Sequence, residues 1–241
     1  MSVFSHHRSR GRFIDWVSQD LKNMFPDFSD KLSTTENIVY QKLKHFDNYP
    51  GKTLMLVGGG PSASSGWEDK NHDFIWTMNH FYKNSIFNDK KVDLAMMMAE
   101  PDTHDPAFAS IRENGTCIGF EVHDKWAHAS PIKYKNNFCM HTRFYGRIGI
   151  GARMKIFAAQ LGFAKVYFTG FDGPKAIFEG NHFFEPGKKT LPSVFSGMNL
   201  DQVSYHWKRQ YDHLWHHIRE INTDIEFVNI GGGELYHEEC R

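Results

Sequence analysis

The stretch Thr53-Leu54-Met55-Leu56-Val57-Gly58-Gly59-Gly60-Pro61-Ser62 decides the fold class of this chain of 241 residues. A short apolar run that ends in three glycines, a proline and a serine predicts a buried strand followed by a tight turn. Glycine has no Cβ, so the backbone N–H groups of such a turn can approach an anionic ligand. The Ser62 hydroxyl can cap a following helix or donate to a phosphate oxygen. Because the P-loop lysine and the dinucleotide fingerprint spacing are both missing, a plain strand-to-helix turn is the alternative.

Similar apolar runs alternate with helical segments along the rest of the chain. Strands are predicted at 54–57, 74–78, 92–99, 116–120, 138–141, 165–169 and 225–230, and helices at 152–161 and 200–221. Continuous apolar strands that alternate with helices are typical of a mostly parallel sheet with helices on both faces. We therefore predict an α/β, Rossmann-like nucleotide-binding domain over 51–241. Helical spacing of apolar residues at 13–24 and 38–46 predicts a helical N-terminal extension over 1–50.

Composition excludes several classes of protein. Lys plus Arg and Asp plus Glu both total 28, and this balance argues against a nucleic-acid partner. No apolar stretch reaches the roughly 18 residues of a transmembrane helix. Three separated cysteines, Cys117, Cys139 and Cys240, favour a reducing compartment and no structural metal. We expect a cytoplasmic protein, with peripheral membrane attachment as an alternative and homo-oligomerisation left open.

Polar residues and glycines follow the predicted strands, where ligands bind in parallel sheets. They include Asn79, the segment 100–102 and the segment 170–172. The Asp172 carboxylate can accept ribose hydroxyls. The loop carboxylates of Glu100, Asp102 and Asp105 can hold Mg²⁺ beside a nucleotide, or they can cap a helix near Pro106.

A second anion site is predicted at the start of the helix at 152–161. Gly149 and Gly151 would expose the unpaired N–H groups of that helix, where its dipole favours an anion. Arg147, just upstream, can donate two hydrogen bonds to a phosphate or carboxylate. The alternative is that the glycines only permit close packing of the helix on the sheet.

Two histidines, His182 and His206, follow the nucleotide-side strands and are the candidates for proton transfer. A histidine with a pKa near neutrality suits removal of a hydroxyl proton. The alternative for each is a surface or packing histidine.

Five motifs follow one another along the chain: Val-Gly-Gly-Gly-Pro-Ser at 57–62, Met-Asn-His-Phe-Tyr at 78–82, Glu-Pro-Asp at 100–102, Arg-Ile-Gly-Ile-Gly at 147–151 and the stretch 161–172. In this order they resemble glycosyltransferase family 42, the bacterial sialyltransferases, and the related motility-accessory-factor and hydroxymethylpterin-diphosphokinase-like proteins. The resemblance covers about 52–235.

The resemblance implies a glycosyltransferase that moves a sialic-acid-type (nonulosonic) sugar from a CMP-activated donor to a glycan acceptor, without a cofactor or an obligatory metal. Its catalytic base would be His206, with His182 as the competitor, and Arg147 matches an active-site arginine. Together with the arguments above, the predicted nucleotide-binding residues are Gly58, Gly59, Gly60, Ser62, Asn79, Glu100, Gly149, Gly151, Gly170, Phe171 and Asp172. The alternatives are a Mg²⁺-dependent pterin diphosphokinase-like phosphotransferase and a non-catalytic nucleotide-binding protein.

Overall fold

A computed structural model describes residues 39–40, 47–64, 66–97, 104–121, 138–142, 149–189 and 195–232. Its strands are β1 (Val39–Tyr40), β2 (Thr53–Val57), β3 (Phe74–Met78), β4 (Leu94–Met97), β5 (Cys117–Glu121), β6 (Phe138–His141), β7 (Lys165–Thr169) and β8 (Glu226–Asn229). Its α-helices are α1 (Pro106–Glu113), α2 (Ile150–Gln160), α3 (Gly173–Glu179) and α4 (Leu200–Ile221). Short 3₁₀ helices lie at Pro61–Ser64, Phe81–Lys83 and Ser85–Phe87. None of the described helices is long and apolar enough to cross a membrane.

The strands form one Rossmann-like sheet in the order β1-β6-β5-β4-β3-β2-β7-β8. Strand β1 pairs antiparallel with β6, and all other neighbours are parallel. From β2 the chain moves outward to β6 and then returns to the other side of β2 to form β7. Right-handed crossovers in opposite directions place their helices on opposite faces, so α1 covers one face and α2 and α4 the other. The predicted fold class is confirmed.

The core lies along the central strands because these are apolar without interruption. Residues 54–57 of β2 are fully buried, which explains why this strand has no polar face. Beside it, the Trp76 ring stacks on Phe157 of α2 at 5.5 Å between centroids, and Tyr49 stacks on Phe163 at 4.9 Å. These contacts fix the position of α2 on the sheet and hold the segment before β2 against the segment after α2.

The structure corrects one predicted element. The helix expected over 38–46 is wrong at Val39–Tyr40, which form the edge strand β1, because β-branched and aromatic residues favour strands. Most other strands and the long helix α4 lie where the sequence places them. The segment 13–24 lies outside the described residues, and the division at residue 50 stays a prediction.

Helix α1 decides between the two alternatives for Asp105. Its carboxylate Oδ1 accepts a hydrogen bond from the Ala107 N–H at 2.9 Å, and Pro106 occupies the first helical position. This is the geometry of an N-cap. The capping interpretation of Asp105 is therefore confirmed, whereas Glu100 and Asp102 lie outside the described residues.

Candidate functional site

A cavity of about 430 Å³ opens where the carboxyl ends of β2, β3 and β7 meet the N-terminus of α2. The strand order reverses between β2 and β7, and ligands of open α/β sheets bind at such a switch point. The lining residues come from these strand ends, α2, α3, α4 and the loop after α3: Gly59, Gly60, Met78, Asn79, His80, Gly149, Ile150, Gly151, Ala152, Gly170, Phe171, Asp172, Gly173, Ala176, Ile177, Asn181, His182, Lys188, Trp207 and Tyr211.

The glycine turn after β2 packs directly on the turn after β7. The Gly58 N–H donates to the Thr169 carbonyl and the Gly60 N–H to the Gly170 carbonyl, both at 2.8 Å. A Cβ on Gly58 would overlap the Gly170 carbonyl, and a Cβ on Gly60 would overlap the Asp172 carboxylate. Residues 58 and 60 must therefore be glycine for the two turns to meet.

Ser62 joins the same two turns. Its hydroxyl accepts a hydrogen bond from the Gly170 N–H at 2.9 Å, and its N–H donates to Oδ2 of Asp172 at 3.0 Å. Neither Gly58 nor Ser62 lines the cavity. The N–H groups of Gly60 and Ser62, which were expected to approach a phosphate, thus have partners inside the protein. In place of a phosphate cradle they make a rigid wall, and Asp172 is part of that wall.

At the N-terminus of α2, which lies at the cavity, the first backbone N–H groups have no hydrogen-bond partner among the described residues. Gly149 is the N-cap residue, with extended backbone (φ −67°, ψ 169°) and no side chain to cap the helix. Residues 149–152 all line the cavity. The first N–H groups of a helix lack intrahelical partners, and with the helix dipole they favour an anion. Arg147 and Glu100, the other expected contacts here, lie outside the described residues.

One wall of the cavity is aromatic. The ring of Phe171 packs against the backbone of Gly151, where a Cβ would overlap it. Trp207 and Tyr211 of α4 stack nearly parallel, at 10° and 6.4 Å between centroids. Burial raises the pKa of Tyr211 to about 12, so its phenol stays neutral at physiological pH. Such a wall suits a flat ring such as a nucleobase.

A buried lysine lies behind this wall. Lys155 of α2 is fully buried, and its Nζ lies 3.6 Å from the centroid of the Phe168 ring and 4.3 Å from that of Phe171. An amino group in this position packs on the faces of both rings. Lys155 therefore supports the Phe171 ring from the side away from solvent.

The polar wall of the cavity is formed by His80, His182 and Lys188, which all contact Glu185 of the loop after α3. Oε2 of Glu185 lies 2.9 Å from Nδ1 of His80 and forms an ion pair with Nζ of Lys188. Burial alone would raise the pKa of Glu185, but the hydrogen bonds from Lys188 and His80 outweigh it and lower that pKa. Glu185 is thus an ionised carboxylate that can only accept hydrogen bonds, and both His80 and Lys188 donate one to it.

His182 lies on the same wall, with the Cε1–Nε2 edge of its ring facing Gly59. A Cβ on Gly59 would lie 2.7 Å from Nε2, so residue 59 must be glycine for the ring to fit. The Glu185 N–H donates to Nδ1 of His182 at 3.1 Å. Burial lowers the pKa of His182, with smaller contributions from nearby charges, so the imidazole is neutral at pH 7 and carries its proton on Nε2.

We expect the lowered pKa of His182 to make the protein less stable in mild acid. The unfolded chain binds a proton near pH 6.5, whereas folded His182 binds one only at lower pH. Stability is therefore lost as the pH falls from the unfolded pKa through the folded one. In His182→Asn, Oδ1 can accept the Glu185 N–H in place of Nδ1. This variant should lie within about 1 kcal/mol of the parent at pH 7.5 and lose less stability toward pH 5.

Urea unfolding of both proteins at pH 7.5, 6.5, 5.5 and 5.0 measures this difference. His216→Asn is the control, because the His216 side chain is 69% exposed. Parallel pH profiles for the parent and His182→Asn would contradict the assignment.

Of the remaining predicted site residues, Asn79 lines the cavity and His206 does not. Asn79 ends β3 with a positive φ of 50° and donates its N–H to the Met96 carbonyl at 2.9 Å, and it lines the cavity. His206 lies partly exposed on α4 with its ring 5.6 Å from Tyr205. It is not among the lining residues, and its role as a base stays a prediction.

Sequence reasoning missed several lining residues, chiefly His80, Lys188, Trp207 and Tyr211. His80 follows Asn79 in the motif at 78–82, from which only the asparagine was predicted to be a site residue. The two α4 residues lie four apart, which is normal core spacing. Nothing in the sequence indicates that the loop after α3 folds back over β3.

No family model and no curated protein matches this chain. Among solved structures, it is similar to the sialyltransferase CstII from Campylobacter jejuni, in complex with the substrate analogue CMP-3FNeuAc. The TM-score is 0.49 at 15% sequence identity, over 76% of this chain and 83% of that chain. This similarity concerns the arrangement of strands and helices.

Proposed function

We propose that this protein is a glycosyltransferase-like enzyme. It binds a CMP-activated sugar of the nonulosonic type in the cavity and transfers the sugar to a hydroxyl group of a glycan. The cytidine nucleotide and the class of sugar come from the resemblance of the motifs at 57–62, 78–82, 147–151 and 161–172. The chemistry of the cavity supports a transfer at a phosphate ester.

One observation carries the proposal: three kinds of recognition surface converge in one cavity at the sheet's switch point. The N-terminus of α2 attracts an anion, the rings of Phe171, Trp207 and Tyr211 suit a flat base, and the polar wall provides imidazole groups for proton transfer. The cavity of about 430 Å³ lies within the range of roughly 300–1,000 Å³ that is usual for small-molecule sites.

The reaction would be a direct displacement at the anomeric carbon. An acceptor hydroxyl oxygen forms a bond to that carbon while the bond from the carbon to the phosphate oxygen breaks, and CMP leaves with the electron pair. The backbone N–H groups of α2 and the Nε2–H of His182 would stabilise the charge that develops on the phosphate. A histidine on the polar wall would take the hydroxyl proton.

A nucleotide screen tests the proposal. The unfolding temperature is measured with CMP, CDP, ATP and GTP, each with and without Mg²⁺. We expect CMP and CDP to raise it without the metal, because a ligand at about 100 times its Kd stabilises the native state by about 2.7 kcal/mol. CMP release from a CMP-nonulosonic acid, with and without a glycan acceptor, then measures transfer.

The other outcomes separate the competing hypotheses. A shift that requires ATP with Mg²⁺ would overturn the proposal in favour of a phosphotransferase. Binding of cytidine nucleotides without CMP release from any donor would favour a non-catalytic nucleotide-binding protein. The absence of any nucleotide shift would contradict the assignment of the cavity.

A further inference from the structure

We propose that Glu185 holds the two cavity histidines in opposite tautomers, so that His80 is the proton acceptor of the site and His182 its hydrogen-bond donor. The assignment of tautomers stands on geometry alone. The catalytic consequence rests on the proposed function.

His80 is fixed by the side chain of Glu185. Its Nδ1 lies 2.9 Å from Oε2 of Glu185, and a carboxylate without a proton can only accept, so Nδ1 of His80 must carry the hydrogen. Lys188 lies 3.4 Å from the same nitrogen. Because both groups are donors, this is a contact between two partners of Glu185 and not a hydrogen bond. In neutral His80 the lone pair is therefore on Nε2.

His182 is fixed by the backbone of the same residue. The Glu185 N–H donates to Nδ1 of His182 at 3.1 Å, which places the lone pair on Nδ1 and the hydrogen on Nε2. A neutral imidazole in this state has its donor at Nε2, on the edge that faces Gly59 of the cavity lining, and its lone pair at Nδ1 already accepts the Glu185 N–H. His182 is thus suited to a phosphate oxygen and unsuited to the role of base.

His80 has the features of a base. It lines the cavity, and its side chain is 17% exposed. Nδ1 is taken by Glu185, which does not line the cavity, and among the described residues Nε2 makes no hydrogen bond, so Nε2 is the nitrogen that remains available to a ligand. When Nε2 takes a proton, the carboxylate at Nδ1 stabilises the imidazolium, as in a catalytic triad. Glu185 is accordingly a positioning residue.

The proton balance of the transfer follows from this arrangement. Nε2 of His80 takes the proton of the acceptor hydroxyl as the oxygen bonds to the anomeric carbon. The electron pair of the broken bond leaves with the CMP phosphate, which the Nε2–H of His182 helps to stabilise. The imidazolium of His80 then releases its proton to water. In the described part of the chain, the charged or titratable groups around His80 are Glu185, Lys188, His182 and the Tyr82 phenol, whose ring is 5.9 Å away.

The first experiment reads the tautomers directly and does not depend on activity. Long-range ¹H–¹⁵N NMR of protein labelled in its histidines, at pH 7.5, distinguishes a ring protonated at Nδ1 from one protonated at Nε2. His80→Asn and His182→Asn assign the signals. We expect His80 to be protonated at Nδ1 and His182 at Nε2. In Glu185→Ala we expect only His80 to lose its preference, because the backbone N–H that fixes His182 remains.

The second experiment measures turnover of the CMP-sugar donor. His80→Asn keeps an N–H donor for Glu185 but has no basic nitrogen, so kcat should fall about 100- to 1,000-fold while the Kd for CMP changes less than threefold. His216→Asn, at an exposed position of α4, should retain the parental kcat.

Two results would overturn the inference: a tautomer other than Nδ1–H in His80 or Nε2–H in His182, or parental kcat in His80→Asn, whether or not His206→Asn loses activity. If the wild-type protein binds no nucleotide and turns over no donor, the proposed function fails. The NMR result still decides the tautomers in that case, so the two failures are distinguishable.

Discussion

Replacing Gly170 by alanine is expected to lower the free energy of unfolding by about 3–5 kcal/mol, or about 10 °C in Tm. Gly170 has φ of +75°, a conformation that costs an L-residue about 1–2 kcal/mol. Its Cβ would also overlap the Gly58 carbonyl, which is backbone and cannot rotate away. The turns after β2 and β7 would have to separate, and with them the hydrogen bonds that join them.

Gly115→Ala is the matched control. Gly115 has φ of +82°, but a Cβ there would meet no atom within 4 Å. Its substitution should therefore cost only the conformational term, about 1–2 kcal/mol. Urea unfolding of both variants isolates the cost of the overlap by difference. Equal losses in the two variants would show that the turns do not pack as described. Failure of Gly170→Ala alone to accumulate as folded protein agrees with the larger cost.

The order of strands and helices could be predicted from the sequence because the apolar pattern that indicates each element lies within the element itself. The run Thr53–Val57 is apolar without interruption, so it predicts a strand buried on both faces. The helix Leu200–Ile221 has an apolar stripe and a capping box at Asn199 and Gln202, and its bounds lie where expected. The pair Val39–Tyr40 carries too little periodicity to oppose a helix prediction. Its strand state depends on a partner about 100 residues away in sequence.

The candidate site could be predicted only in part, for a physical reason. Glycines such as Gly59 and Gly151 reveal that something approaches the backbone, but they do not say what. In the structure, the approaching groups are the imidazole of His182 and the ring of Phe171. The partners of Ser62 come from the turn after β7, more than 100 residues later. Long-range pairings of this kind leave no local periodicity that a sequence pattern can detect.

The same limit explains why His80 was missed as a base candidate. The residue type alone suggests proton transfer at any of 15 histidines. What singles out His80 is the carboxylate of Glu185 at its Nδ1, and that contact forms only when the loop after α3 lies over the end of β3. The proposed role of His80 therefore depends on a loop position that neither segment specifies alone.

Replacing Gly149 by aspartate is expected to change stability and nucleotide binding in opposite directions. Gly149 is the N-cap of α2, its backbone is extended, and a Cβ there would meet no atom of the described residues within 4 Å. Aspartate is a favourable N-cap residue and its charge favours the helix dipole, so stability should rise by about 0.5 kcal/mol. The same carboxylate would occupy the place proposed for the phosphate of CMP and would repel its negative charge. The Kd for CMP should increase about 100-fold, or about 2.7 kcal/mol.

Gly149→Asn separates charge from capping. Asparagine caps the helix about as well as aspartate, but it brings no negative charge, so we expect the Kd for CMP to rise only about 10-fold. Isothermal titration at low and high salt measures this difference. The ratio of the two Kd values for CMP should be smaller at high salt, because salt screens the repulsion. If Gly149→Asp binds CMP as tightly as the parent, the phosphate does not lie at the N-terminus of α2. If both variants lose binding equally at every salt concentration, the cap side chain acts by blocking space, and the charge of the helix terminus does not determine affinity.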